Sequence, residues 1–421
     1  MIMSDAPETP AQPEVPLSRN GNLFAFLGCR MFNIIGNHSL SVAIGWDVYQ
    51  LTNDPLDLGL IGLAQFTPAF LLFLVAGMAA DRFDRRNILI VCNVFLMIGV
   101  SIIGSLIWTG NATVPLILMV LLIHGTCRSF YHTSAQAILP NLVPRAQFPH
   151  AVAYMSSTHK AATLAGPALG GFLIAWGGDM VYVAIFCSYA LSVVAALTIR
   201  KRLRVESPSP VTFETVTDGF RYVWKNKIVL GAISIDLVAV LFGGVMGLLP
   251  VFASDILHVG PEGLGVMRAT PGAGALLVGL VLTQVPLTRH LGPFMFVSVF
   301  VFGMAIILFS LSTVFWLSLI ALAIYGAADM ISVNIRNLMI QLATPDNMRG
   351  RVSAINAVSI NASNELGDFR AGTTAAVVGS IGAVLVGGVV TVSVAGLWWL
   401  LFPAMRRVDR IGDAADAAKQ K

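Results

Sequence analysis

The chain has 421 residues, 56% of them hydrophobic and only 11% charged, with a net charge of +4 and a mean hydropathy of +0.79. Soluble globular proteins carry about 25% charged residues, so that class is excluded. Apolar runs of ~20 residues recur, the length a helix needs to cross a ~30 Å hydrocarbon core, whereas a β-barrel shows ~10-residue alternating segments. The small net charge gives no sign of a nucleic-acid partner.

The opening "MIMSDAPETPAQPEVPLSRN" is polar and Pro-rich, without the basic start and apolar core of a signal peptide. It reads as a soluble tail over residues 1–20. Twelve apolar runs follow, predicting transmembrane helices at 22–48, 57–80, 87–108, 114–137, 150–176 and 179–199, then 228–252, 262–286, 293–312, 315–338, 351–375 and 379–402. Lys and Arg fall in alternate connections: Arg82, Arg85 and Arg86 after span 2, Arg145 after span 4, a basic linker after span 6, Arg289 after span 8, and Arg349 with Arg351 after span 10. The other connections, "TNDPLD", "WTGNATVP" and "WGGD" among them, have none. Short cytoplasmic loops collect Lys and Arg, so both termini are expected in the cytoplasm, with 405–421 as a second tail.

The chain is also written twice. "GLAQFTP" (Gly62–Pro68) recurs as "GVMRATP" (Gly265–Pro271), and "PRAQFPHAV" from Pro144 corresponds to "PDNMRGRVS" from Pro345. Two parallel six-helix units are expected, at 21–199 and 228–404, the plan of facilitator-type secondary transporters. The linker 200–227 begins "RKRLRVESPSP" and continues into "VTFETVTDGFRYVWKNK", where Phe213, Val216, Phe220 and Trp224 share a helical face. That segment is predicted to lie on the inner membrane surface.

Charges sort the spans. Spans 3, 6, 9 and 12 have none apart from Asp179 at the very edge of span 6, so they are predicted to face lipid. The others enclose a polar interior holding Arg30 and Asp47, Arg128, Lys160, Asp236, Arg268, Asp329 and Arg336, and Glu365, Asp368 and Arg370. A charge at the bilayer centre costs several kcal/mol unless it meets a partner or water, so these are candidates for substrate binding or proton coupling. The same residues could equally serve as fixed pairs between helices. For Arg268 the expected partners are Glu365 or Asp368, with an anionic substrate as the alternative.

Between spans 2 and 3, "AADRFDRRN" packs both signs of charge. Gly77-x-x-x-Asp81-Arg82-x-x-Arg85-Arg86 resembles the signature of the major facilitator superfamily, and Gly166-Pro167-x-x-Gly170-Gly171 resembles its span-5 antiporter motif, with Ala153 and Ala162 where that motif often has glycines. "WDVYQLT", "LLPVFASDIL", "QLATPDNMRGRVSAINA" and "SNELGDFRAG" resemble the enterobactin-exporter-like, or transmembrane secretion effector, branch over residues 20–405. Asp84 departs from the superfamily's usual Gly. The resemblance implies a bacterial inner-membrane transporter, monomeric, in which spans 1, 4, 7 and 10 line the cavity. It also implies that Gly77, Asp81, Arg82, Arg85 and Arg86 form a cytoplasmic gate with Arg349 and Arg351 at the start of span 11, closed when the protein opens outward. A topology signal with local ion pairs is the plainer reading of that stretch.

No phosphate-binding loop, metalloprotease motif or nucleophile elbow is present, so ATP hydrolysis and intramembrane catalysis are disfavoured. No cofactor is expected. His38, His124, His132 and His159 lack metal-ligand spacing, and Cys29, Cys92, Cys127 and Cys187 read as small packing residues. The sequence thus points to a secondary transporter exporting a small amphipathic, siderophore- or drug-like molecule by proton antiport. A lysophospholipid transporter of the same architecture is the second reading, and an intramembrane enzyme or a non-transporting sensor is the third.

Overall fold

The computed structural model describes residues 17–200, 213–285, 287–345 and 348–409. Helix occupies each of the twelve predicted spans: α1 (Gly21–Thr52), α2 (Pro55–Leu71 and Phe73–Arg82), α3 (Arg85–Trp108), α4 (Val114–Leu142), α5 (Phe148–Gly177), α6 (Met180–Thr198), α7 (Lys227–Ile256), α8 (Gly260–Gln284), α9 (Leu291–Leu311) and α10 (Phe315–Ala343). The last two, α11 (349–378) and α12 (380–401), run on without a loop and are divided only by Gly379, whose φ of 78° suits glycine. Among the described residues eight helices are long and apolar enough to cross a membrane, or nine when the two pieces of α2 count as one span. The helices α1 and α5 fall short of that hydropathy, because their polar residues serve the interior.

Two details of chain path depart from uniform helices. The pieces of α2 meet at 53°, just after Pro68. Pro271 in the repeat sequence leaves α8 unbroken, and its carbonyl sits against Gly326 of α10, where any Cβ would clash. The regular part of α7 ends at Gly243, and its last turn, Phe252–Ile256, is π-helical.

Helices α3, α6, α9 and α12 turn apolar side chains outward, including Phe95, Val194, Val297 and Leu400, so the charge-free helices form the periphery. The remaining eight enclose the interface between the bundles α1–α6 and α7–α12. Buried side chains form two cores. One runs from α1–α6 into Leu248, Phe252, Leu264 and Met267 of the second bundle. The other, around Ile233, Met295, Met339 and Val352, belongs to the second bundle and its linker helix alone. The bundles thus share a core at the end bearing the basic-poor loops, which the loop charges predict to be the outer end, and have separate cores at the basic end.

The linker helix Phe213–Lys225 packs on α11 and the start of α7. Tyr222 Oη donates to the Ala343 carbonyl, Arg351 meets Asp218 at 3.4 Å, and Val223 is buried. Phe220 and Trp224 stay exposed, as an interfacial helix requires. The predicted basic stretch 201–212 and residues 1–16 and 410–421 of the tails lie outside the described residues, as do the side chains of Phe213 and Val216.

Candidate transport site and gates

The outer end is closed by small residues. A Cβ on Gly171 of α5 would stand 2.5 Å from Pro261 O and 2.6 Å from Gly265 Cα of α8, so only glycine admits this approach. On α2 and α11, Gly59 and Gly372 make the same backbone contact. Gly166 and Gly170 seat α1: Ser39 Oγ donates to Gly166 O at 2.7 Å, and a Cβ on Gly170 would lie 2.9 Å from Ser39 Cα. Pro167 O faces Gly265. The motif at Gly166, Pro167, Gly170 and Gly171 therefore joins α5 to its own bundle on one face and to the other bundle on the next. Tyr49 Oη donates to the Asp255 carboxylate across the same end, and Gln50 to Ser254 Oγ at 3.3 Å.

A polar layer lies beneath this closure. Arg128 of α4 binds Glu365 of α11 at 2.8 Å, bridging the bundles. Arg268 of α8 reaches Ser41 of α1 and the Met246 carbonyl of α7, while Asp368 accepts from Gly247 N at 2.9 Å. Arg268 thus forms no ion pair with Glu365 or Asp368 among the described residues. Glu365 is taken by Arg128, and the Arg268 guanidinium is directed to a hydroxyl and a carbonyl instead.

Two of the predicted acids belong to packing within one bundle. Asp236 and Arg336 form an ion pair between α7 and α10, with both side chains buried. Span 7 was expected to present Asp236 to the cavity, but Arg336 claims it, because an unpaired charge at that depth is costly. Asp47 accepts from Tyr182 Oη at 2.6 Å, tying α1 to α6. Asp329 of α10 forms no ion pair among the described residues, although it lies within the field of Lys160 on α5.

At the basic end the charge knot is satisfied inside the first bundle. Arg85 donates to Ala80 O (3.0 Å) and Ala137 O (2.6 Å), capping the ends of α2 and α4. Arg86 does the same for α6 through Ala196 O (3.1 Å) and Leu197 O (2.7 Å). Asp84 caps α3 by accepting from Arg86 N at 3.0 Å. Asp81 meets Arg85 at 3.6 Å, and Arg82 is exposed. A Cβ at Gly77 or at Gly350 would meet nothing within 4 Å. The gate residues are therefore not brought together: Arg351 turns to Asp218 of the linker helix, and Asp81 stays with its own bundle.

Sequence reasoning passed over two sets of residues. The first is the glycine pairs Gly59–Gly372 and Gly171–Gly265, in which no local pattern names the partner. The second is Gln136, which with His132, named above only for its lack of metal-ligand spacing, follows Arg128 at i+8 and i+4 and is exposed on one face of α4. That spacing was legible.

A family model for the transmembrane secretion effector matches residues 14–418. The chain belongs to that family. It is a branch of the major facilitator superfamily, so the chain is a transporter rather than an enzyme. Similar curated proteins include the "Enterobactin exporter EntS" of Salmonella typhimurium, 24% identical over 394 residues, covering 92% of this chain and 94% of that one. The protein of that name from Citrobacter koseri is likewise 24% identical over 395 residues, with the same coverage. Among solved structures, a bacterial homolog of the human lysosomal transporter Spinster, titled inward-facing and occupied, superposes with a TM-score of 0.72 at 13% identity, covering 93% of this chain and 97% of that one. The nucleoside transporter NupG (D323A mutant) gives 0.71 at 14% identity, covering 90% and 100%. At these identities the structures establish the fold.

Proposed function

We propose that this family member is a proton-coupled exporter of a small amphipathic molecule, working by alternating access in the bacterial inner membrane. The observation carrying this reading is the one-sided closure. Glycine contacts and the Arg128–Glu365 bridge join the bundles at the outer end, while Asp81 at the basic end keeps to its own bundle. The basic end faces the cytoplasm by the charge of its loops. This arrangement is then the inward-open member of a two-state cycle. In the other state Asp81 engages the N-terminus of α11, where backbone N–H groups carry about half a positive charge.

Coupling follows from the bridge. An ionised Glu365 holds Arg128 and keeps the outer end shut. Once that bridge is broken and the outer end is open, Glu365 takes its proton from the outer side, and it gives that proton to the cytoplasm when the bridge to Arg128 re-forms. Asp329 is the second titratable candidate, whereas Asp236 and Asp47 are occupied within their bundles. The names of the curated relatives support export and a siderophore-like cargo.

The test compares growth medium from deletion and overexpressing cells, followed by uptake of whatever compound differs into inside-out vesicles. Accumulation driven by an acid vesicle interior, and abolished in Glu365→Gln, is expected. Uptake that is indifferent to the gradient overturns proton antiport, and a medium unchanged between strains overturns export.

A further inference from the structure

Resting on the export reading, we infer that the cavity selects small organic anions, held by Arg30 and Lys160 of the first bundle with His132 and His159 beside them. Arg30 and Lys160 form no ion pair among the described residues, although Asp329 lies within the field of Lys160. The Arg30 guanidinium donates to Met155 Sδ at 3.3 Å and stands 5.9 Å from the Phe26 ring. Lys160 Nζ reaches Met330 Sδ at 3.7 Å. A thioether is a weak acceptor.

Their depth makes this unusual. Arg30 lies nine residues into α1, about 14 Å from its basic end, and Lys160 lies twelve residues into α5, about 18 Å in. Cations left unpaired at such depth face water or a ligand, since lipid would exact several kcal/mol for each. The level is just below the Arg128–Glu365 bridge, in the part of the interface open to the basic end. A substrate arriving from the cytoplasm meets these cations before it meets the closed layer.

The neighbours extend the field. His132 and His159 are exposed, and His159 lies within electrostatic reach of both Arg30 and Lys160. His132 feels Arg30 and Arg128. Each imidazole adds an N–H donor to the cationic pair. Among the described residues the second bundle answers at this level with Asp329 and with neutral groups such as the exposed Asn334 and Asn364. Two free cations and two imidazoles therefore face one carboxylate. The two part-exposed methionines, Met155 and Met330, provide a soft apolar wall for the body of the ligand. The chemistry that fits is a carboxylate or phenolate on an apolar, aromatic frame.

Two xanthene dyes of similar size and opposite charge, fluorescein and rhodamine 123, test this on the full chain in nanodiscs of neutral lipid. Fluorescence anisotropy should show fluorescein binding more tightly. Arg30→Gln with Lys160→Gln should weaken it about 10- to 150-fold, the loss expected for hydrogen bonds to charged groups. Arg30→Lys with Lys160→Arg should retain it, and rhodamine 123 should bind no more weakly to the Gln variant. If Arg30→Gln prevents folding, Lys160→Gln alone should give at least a tenfold loss. Preference for rhodamine 123, absence of fluorescein binding, or unchanged fluorescein affinity in a folded Gln variant overturns the inference. Gradient-driven transport of rhodamine 123 in those cases leaves the export reading standing.

Discussion

The two bundles share a fold and a sequence pattern but differ in where buried charge is satisfied. In the second bundle Asp236, Arg336 and Arg370 are satisfied internally, while Arg268 and Glu365 reach the first bundle. Asp236 pairs with Arg336, and Arg370 spends its donors on the carbonyls of Leu241, Phe242 and Ala383. In the first bundle Arg30 and Lys160 rest on thioethers, and Arg128 finds its carboxylate only across the interface. Charges satisfied at home hold a bundle rigid. Charges left to reach across the interface, or into the cavity, are free to respond to a ligand or to the other bundle's position. The difference assigns rigidity to α7 and α10 and response to α1, α4 and α5.

The largest effect should come from breaking a neutralised pair. Arg336→Met strands Asp236 in a buried site, which costs about 3–5 kcal/mol. Thermal unfolding in detergent should show the loss, and Asp236→Leu in the same chain should recover most of it. If Arg336→Met alone keeps wild-type stability, the pair is not what stiffens the second bundle.

Wedging the outer end comes next. Gly171→Val places atoms where Pro261 O and Gly265 now stand. Overpacking typically costs 1–3 kcal/mol, here confined to the outward-closed state, which shifts the two-state balance about 5- to 150-fold toward outward-open. Labelling of an introduced cysteine from the outer side should rise accordingly. An unchanged labelling rate would mean that α5 and α8 do not form the outer gate.

Asp81→Asn acts on the other end. The Asp81–Arg85 contact is half-exposed, so in this state its loss is worth under about 1 kcal/mol. Against the N-terminus of α11 the same carboxylate is worth about 1–3 kcal/mol, by analogy with charged hydrogen bonds. Transport should fall while protein level and topology hold, because Arg82, Arg85 and Arg86 remain. Equal transport by the variant returns the stretch to a topology signal. The smallest effect belongs to Asp84→Ala, which removes the N-cap of α3 and should cost about 1 kcal/mol of stability with no change in substrate preference.

Much of this organisation was legible because it is written locally. Apolar runs of span length, basic residues in alternate connections and charge-free third helices each follow from the bilayer's demands on nearby residues. Pairings were not legible, for they depend on contacts hundreds of residues apart. Nothing near Asp236 announces Arg336 rather than the cavity, and nothing near Arg128 announces Glu365. The charge knot between α2 and α3 shows the same limit. Both signs of charge were apparent, yet the capping of α2, α4 and α6 by Arg85 and Arg86 appears only once the helix ends are brought together. Asp84, which departs from the superfamily pattern, turned out to have a local purpose as a helix cap.

The central claim is reciprocal opening of the two ends, governed by the bridge between the bundles. Spin-label distances measure it directly, in a chain with its four native cysteines replaced. One label pair at Asn53 and His258 reports the outer end, and another at Phe83 and Gly350 reports the basic end. Glu365→Gln, which uncharges one side of the bridge, should lengthen the first distance and shorten the second in the same molecules. Both distances unchanged, or both lengthened together, would contradict alternating access controlled by Arg128 and Glu365.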